Sequence, residues 1–143
     1  MTRVGIVYST KRRKATVQVV EWLKAAFESN GLEVEAGKPE EINTPNCDLF
    51  VLGTSVYAGE VQESILEFIS QNQDLLREKP VATFVVCKEV ETPECHMNLV
   101  IEKLPKELMT WISFEGYLLR KGDFEKQQSK ADTWVKEIVD RLP

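Results

Sequence analysis

Two stretches of this chain gather side chains suited to holding an anion beside a flat ring. In "VGIVYSTKRRKATVQVVEWL" the hydroxyl residues Ser9, Thr10 and Thr16 enclose the successive cations Lys11, Arg12, Arg13 and Lys14, with Ala15 next to Thr16. The cations fall where a helix should begin, and the dipole there is already positive and favours Asp or Glu. A bound dianion removes that conflict. Hydroxyls, cationic side chains and the free N–H groups of a first helical turn together make a phosphate cradle. For an arbitrary charge run a solvated, solubilising face is the commoner reading, so placement in the fold has to decide.

The second stretch, "GTSVYAGE", combines the hydroxyls of Thr54 and Ser55 with Val56, the aromatic Tyr57, Ala58 and the flexible Gly59. Such a loop can hydrogen-bond a polar ring edge while a phenol lies against the ring face, which implies a flat aromatic ligand. Alone it reads as an ordinary turn, and it gains weight only beside a phosphate loop. A third segment, "CKEVETP", follows an apolar run and opens with Cys87, Lys88 and Glu89. Cys87 reads as a buried strand-end thiol rather than a nucleophile, because no histidine neighbours it. His96, the single histidine, stands beside Cys95, and two adjacent ligands without a second pair do not make a metal site.

The elements that must position these loops alternate between strand and helix character. "RVGIVY" is a continuous apolar strand, followed by Val17, Val20, Leu23 and Phe27 at helical spacing and a left-handed stop at Gly31. "LEVEA" alternates like an edge strand, and "GKPEEINTPN" is too short and proline-rich for more than a loop or single turn. "DLFVLG" is a buried strand; Val61, Ile65, Phe68 and Ile69 mark a helix; "PVATFVVC" is a further buried strand. Residues 93–105 read as helical, "ISFEGYLL" as the last strand, and "QQSKADTWVKEIVDRL" as a closing helix with Trp134, Ile138 and Leu142 on one side. Five strands and four helices result, an α/β three-layer arrangement with a five-stranded parallel sheet in the order 2-1-3-4-5 and helices on both faces. In that order the ligand crevice opens at the carboxyl ends of strands one and three, and the loops containing Ser9, Thr54 and Cys87 form its walls.

With 143 residues, 43% hydrophobic and 29% charged, the chain reads as one domain over residues 1–143. The formal net charge of -5 argues against a nucleic-acid binder, so the basic run is a local feature. "MTRVGIVYST" has no signal-peptide cleavage pattern, and no apolar segment reaches bilayer length. A cytoplasmic protein with reduced thiols is expected, since the 3 cysteines lack both a C-x-x-C spacing and an even number.

At "YST" with Thr16 opening the helix, and at "VLGTSVYAGEVQESILEFI", the sequence resembles the flavodoxin-like family. It is most similar to the flavodoxin-domain branch related to menaquinone-dependent protoporphyrinogen oxidase, with its Gly-small-Ser-Ile/Val loop and a helix ending in Glu-Phe-aliphatic. The similarity runs from Arg3 to about Lys121. It implies FMN as cofactor, with Ser9, Thr10 and Thr16 on the phosphate, Ser55 and the residues through Gly59 along the isoalloxazine, and Cys87, Lys88 and Glu89 bordering its pyrimidine side. A redox partner protein or a quinone-like small molecule would exchange electrons with it. Two departures stand out. The family's phosphate loop carries a glycine, which "STKRRKAT" lacks, and the oxidase branch has a long basic and aromatic insertion where this chain has only "RKGDFEKQ". Haem-precursor oxidation is therefore not expected.

Other functions of this fold class fit less well. A phosphorelay receiver needs acids after strand one and an Asp ending strand three, where this chain has Tyr8-Ser9 and Gly53-Thr54; a cysteine phosphatase needs a Cys in the first loop. The rival that survives is a cofactor-less flavodoxin-like domain that binds another anion or a protein.

Overall fold

The structure, a computed structural model, describes residues 2–10, 13–42, 46–57, 60–87, 93–116 and 124–142. Strand β1 (Arg3–Ser9) leads into α1 (Arg13–Ser29), then β2 (Glu33–Gly37), a 3₁₀ turn (Pro39–Glu41) and β3 (Leu49–Tyr57). The two-residue β4 (Glu60–Val61) precedes α2 (Glu63–Gln71), α3 (Gln73–Glu78), β5 (Val81–Cys87), α4 (Pro93–Ile101), β6 (Thr110–Glu115) and α5 (Gln127–Arg141). The parallel strands lie in the order β2-β1-β3-β5-β6, with β4 antiparallel to the end of β3. Counted as parallel strands alone, this is the expected 2-1-3-4-5.

Alternation along the strands sorts the core into two layers. Val4, Ile6, Leu49, Val51, Phe84 and Phe114 pack beneath α1 and α5, while Val7, Phe50, Leu52 and Val85 pack beneath α2, α3 and α4. Gly53 makes room for this packing, because a Cβ there would lie 2.0 Å from Cζ of Phe84. Helix α1 stops as expected: Gly31 has a φ of 85°, the Leu32 N–H returns to Phe27 O at 3.2 Å, and Asn30 Nδ2 donates to Ala26 O at 2.8 Å.

The structure differs from the expected elements at several places. Strand β3 continues through Thr54 to Tyr57 instead of ending at Gly53, because β4 supplies a partner for its last residues: Val56 pairs with Val61 and Tyr57 with Glu60. Val61 therefore belongs to a strand and not to the helix that Ile65, Phe68 and Ile69 mark. Helix α1 begins at Arg13, so Thr16 lies within its first turn rather than opening it. The helical segment after β4 is split at Asn72, whose side-chain amide donates to Phe68 O while Gln73 Nε2 donates to Ile69 O, both at 2.8 Å; these amides take the carbonyls that a continuing helix would use. Five α-helices rather than four are thus present among the described residues. Helix α4 ends at Ile101, and the rest of the expected 93–105 helix is a turn. Strand β6 starts at Thr110, two residues before the expected "ISFEGYLL", and Tyr117, Leu118 and Leu119 of that stretch lie outside the described residues.

Candidate functional site

Register places the predicted groups along one edge of the sheet. Ser9 at the end of β1 is opposite Thr54 of β3; Thr54 and Ser55 are opposite Val85 and Val86 of β5; Cys87 is opposite Glu115 of β6. All lie at the carboxyl ends of the parallel strands, and α1 enters from the same edge. The reversal of winding between β1 and β3 falls between Ser9 and Thr54.

The buried hydroxyls at this edge fall into two groups. On the α2 side Ser9 Oγ is hydrogen-bonded to Ser64 Oγ in the first turn of α2. Thr54, only 1% exposed, donates from Oγ1 to Ser55 O at 2.9 Å and accepts from the Gln62 N–H at 3.1 Å. Its hydroxyl thereby ties the end of β3 to the entry of α2. On the α1 side the situation is reversed. Thr16 Oγ1 and Ser55 Oγ are buried with no hydrogen-bond partner among the described residues. Leaving a buried hydroxyl unpaired costs about 1–3 kcal/mol, so two at one edge call for a ligand or ordered water that satisfies them. These are donors of the kind a phosphate oxygen or a ring carbonyl accepts.

The remaining predicted residues distribute as follows. Ala15 is half-buried in α1 and packs against the core, 3.7 Å from where a Cβ on Gly116 would stand. Thr10 is partly exposed just after β1, and Val56 is partly buried against the α2 layer. Cys87 is buried at the end of β5, and burial pushes its thiol up to about 11, which makes it a neutral packing group and no nucleophile. Arg13 and Lys14 open α1, whose first turn contains no acid. The side chains of Arg13, Lys14 and Tyr57, and the whole of Lys11, Arg12, Ala58, Gly59, Lys88 and Glu89, lie outside the described residues.

Several residues at this edge escape sequence reasoning. Ser64 gives no stronger signal than any serine in a first helical turn, and only the fold sets it against Ser9. Gln62, buried between β4 and α2, carries no recognisable motif. Gln127 receives the Glu115 N–H at 2.8 Å and donates to Glu115 O at 2.9 Å, pairing the outer edge of β6 as a further strand would. Gly116 follows, with its N–H on Cys87 O at 2.6 Å, and a Cβ there would come within 2.9 Å of Val86. Two cavities of about 310 and 300 Å³ lie away from the unpartnered hydroxyls, one between β6 and α5 and one between the 3₁₀ turn and α2. The site is therefore defined by its polar atoms and by the strand ends that present them.

A model of the flavodoxin domain matches residues 5–122, and the chain belongs to that family. Its fold is that of solved flavodoxins. A Fusobacterium nucleatum flavodoxin bound to flavin mononucleotide aligns over 100% of both chains with a TM-score of 0.71 and 15% identity. Oxidised flavodoxin 1 from Bacillus cereus aligns over 99% of this chain and 100% of its own, with a TM-score of 0.70 and 15% identity. Rubredoxin oxygen:oxidoreductase from Desulfovibrio gigas has a TM-score of 0.64 and 11% identity over 96% of this chain, which spans only 36% of that larger one. No curated protein sequence gives a significant match. Among the described residues no helix is long and apolar enough to cross a membrane.

Proposed function

We propose that this flavodoxin-like redox protein binds FMN at the carboxyl edge between β1 and β3 and works as an electron carrier or small oxidoreductase. The observation that carries this reading is the pair of buried hydroxyls of Thr16 and Ser55, which have no partner among the described residues and come from the elements flanking the switch point. Thr16, Thr10 and Ser9, with the first-turn N–H groups of α1, face the phosphate, and Lys11, Arg12, Arg13 and Lys14 replace the glycine-based wrap with charge. Ser55, Val56, Tyr57, Ala58 and Gly59 flank the ring, and Cys87, Lys88 and Glu89 border its pyrimidine side. Thr54 frames the loop instead of touching the ligand, since its hydroxyl is already committed at both ends.

When bound, the flavin supplies electron or hydride exchange, and the protein's part is binding, orientation and exclusion of competing reactions. The neutral, buried Cys87 suits a wall that keeps water out. The flavin mononucleotide named for the Fusobacterium nucleatum protein supports the choice of ligand. We assign the chain to the cytoplasm, with a redox protein or quinone-like molecule as partner. We read its motifs as similar to those of the branch related to menaquinone-dependent protoporphyrinogen oxidase, without that enzyme's insertion. The glycine-free first loop favours one rival, a cofactor-less module that binds another anion or a protein.

Titration of flavin with the purified protein separates the two. FMN fluorescence should be quenched at one-to-one stoichiometry, and riboflavin, which lacks the phosphate, should bind much more weakly. An absence of quenching, together with no blue absorption band in fresh protein, would eliminate the cofactor reading.

A further inference from the structure

We infer that Ser64, in the first turn of α2, is a positioning residue that sets the polarity of Ser9 and so contributes to discrimination between a phosphorylated flavin and its phosphate-free form. The inference rests on the FMN reading above. Strand alternation turns Ser9, like Val7, toward the α2 layer, and there its hydroxyl meets that of Ser64. Two hydroxyls joined by one hydrogen bond have two protons, of which one lies between them and the other remains available. With a dianion at the first loop, the favourable arrangement is unambiguous: Ser64 donates to Ser9, and Ser9 donates outward to a phosphate oxygen. In that chain Ser64 polarises the Ser9 O–H and strengthens its bond to the phosphate.

Neighbouring contacts keep Ser64 in place for this task. The Gln62 N–H on Thr54 Oγ1 anchors the entry of α2 to β3, while Ile65 beside Ser64 is only 1% exposed in the core. Ser64 itself is exposed apart from this contact, so its removal costs the core little. Its distinguishing property is that it serves only a phosphate. A ring contact would be indifferent to which way Ser9 points its proton.

The test is titration of wild-type protein, Ser64→Ala and Ser64→Thr with FMN and with riboflavin, and a thermal melt of each apoprotein. Ser64→Ala should lose up to about fourfold in FMN affinity, because the Ser64–Ser9 bond is present with and without FMN and only its polarising share of the charged Ser9–phosphate bond is lost. Its riboflavin affinity should match wild type, its apoprotein should melt somewhat lower because the buried Ser9 hydroxyl loses its partner, and Ser64→Thr, which restores the hydroxyl, should recover both FMN binding and melting temperature. Unchanged FMN affinity in Ser64→Ala, or equal losses for FMN and riboflavin, would overturn the role of Ser64 while leaving the FMN reading intact. Wild-type protein that binds FMN no better than riboflavin would overturn both.

Discussion

The two sides of the carboxyl edge use the same residue types for different ends. Toward α2, Ser9 and Thr54 have their hydroxyls bonded within the protein, to Ser64, Ser55 O and the Gln62 N–H. Toward α1, Thr16 and Ser55 are as deeply buried, at 1% and 8% exposure, and have no partner among the described residues. A satisfied buried hydroxyl stabilises the folded chain, whereas an unsatisfied one costs desolvation that only a ligand or ordered water returns. In the proposed site Thr54 is thus a frame and Thr16 and Ser55 are a receptor, with Ser9 joined to the frame through Ser64 and keeping one proton for the ligand.

Isosteric substitutions should break this comparison with opposite signs. Thr16→Val removes a donor that the proposed phosphate would use, and a hydrogen bond to a charged group is worth about 1.5–3 kcal/mol. FMN binding should weaken by that amount in a calorimetric titration, while the apoprotein melts at the same temperature or slightly higher. Thr54→Val should do the reverse. It strands the Gln62 N–H, so the apoprotein should lose about 1–3 kcal/mol in denaturant unfolding. If both variants behaved alike, the division into frame and receptor would fall.

A smaller effect is expected from the basic run. Changing Lys11, Arg12, Arg13 and Lys14 to Gln should relieve dipole repulsion of about 0.3–1 kcal/mol for each cation in the first turn and raise apoprotein stability slightly. The same variant should lose FMN affinity and most of its salt dependence, because exposed charges are screened at a Debye length of about 8 Å. Salt-independent binding by wild-type protein would instead assign the run to solubility or partner docking.

The smallest effect concerns the thiols. Burial raises the Cys87 thiol from 9.0 to about 11, so the unfolded chain releases that proton first. The resulting stability is fully present below about pH 9 and is lost as pH rises through about 11. Cys87→Ala should therefore flatten the fall of melting temperature across that alkaline window. In the folded protein a thiol reagent should modify the exposed Cys95 well before Cys47 or Cys87.

How much of this was legible beforehand follows from the range of each interaction. Continuous apolar runs such as "RVGIVY" and "PVATFVVC" declare buried parallel strands because both faces are covered, and Gly31 declares a helix end through its own backbone. Alternation of strand and helix announces a parallel sheet, and the order 2-1-3-4-5, one of the two common doubly wound orders, brings Ser9, Thr54 and Cys87 to one edge. The extension of β3 was hidden, because Thr54 and Ser55 are held as strand by β1 and β5, and Val56 and Tyr57 become strand only when the two residues of β4 fold back on them. The break at Asn72 was hidden too, since amphipathic spacing continues past it and only its side-chain bond to Phe68 O ends the helix. At the site, residue type nominated Thr16, Ser55 and Thr54 alike. What divides the proposed ligand groups from framing groups is the return of the chain after β3, which brings the Gln62 N–H to Thr54 and leaves Thr16 and Ser55 without a partner among the described residues.

The most direct test of the central claim is the shift in melting temperature that FMN produces in wild-type protein and in the double variant Thr16→Val/Ser55→Ala. A ligand at one hundred times its dissociation constant stabilises by about 2.7 kcal/mol, so wild-type protein should show a rise of several degrees. The double variant should lose most of that rise at the same FMN concentration while its apoprotein melts no lower than wild type. A double variant that keeps the full shift, or whose apoprotein is itself destabilised, would contradict the assignment of these two hydroxyls to the ligand.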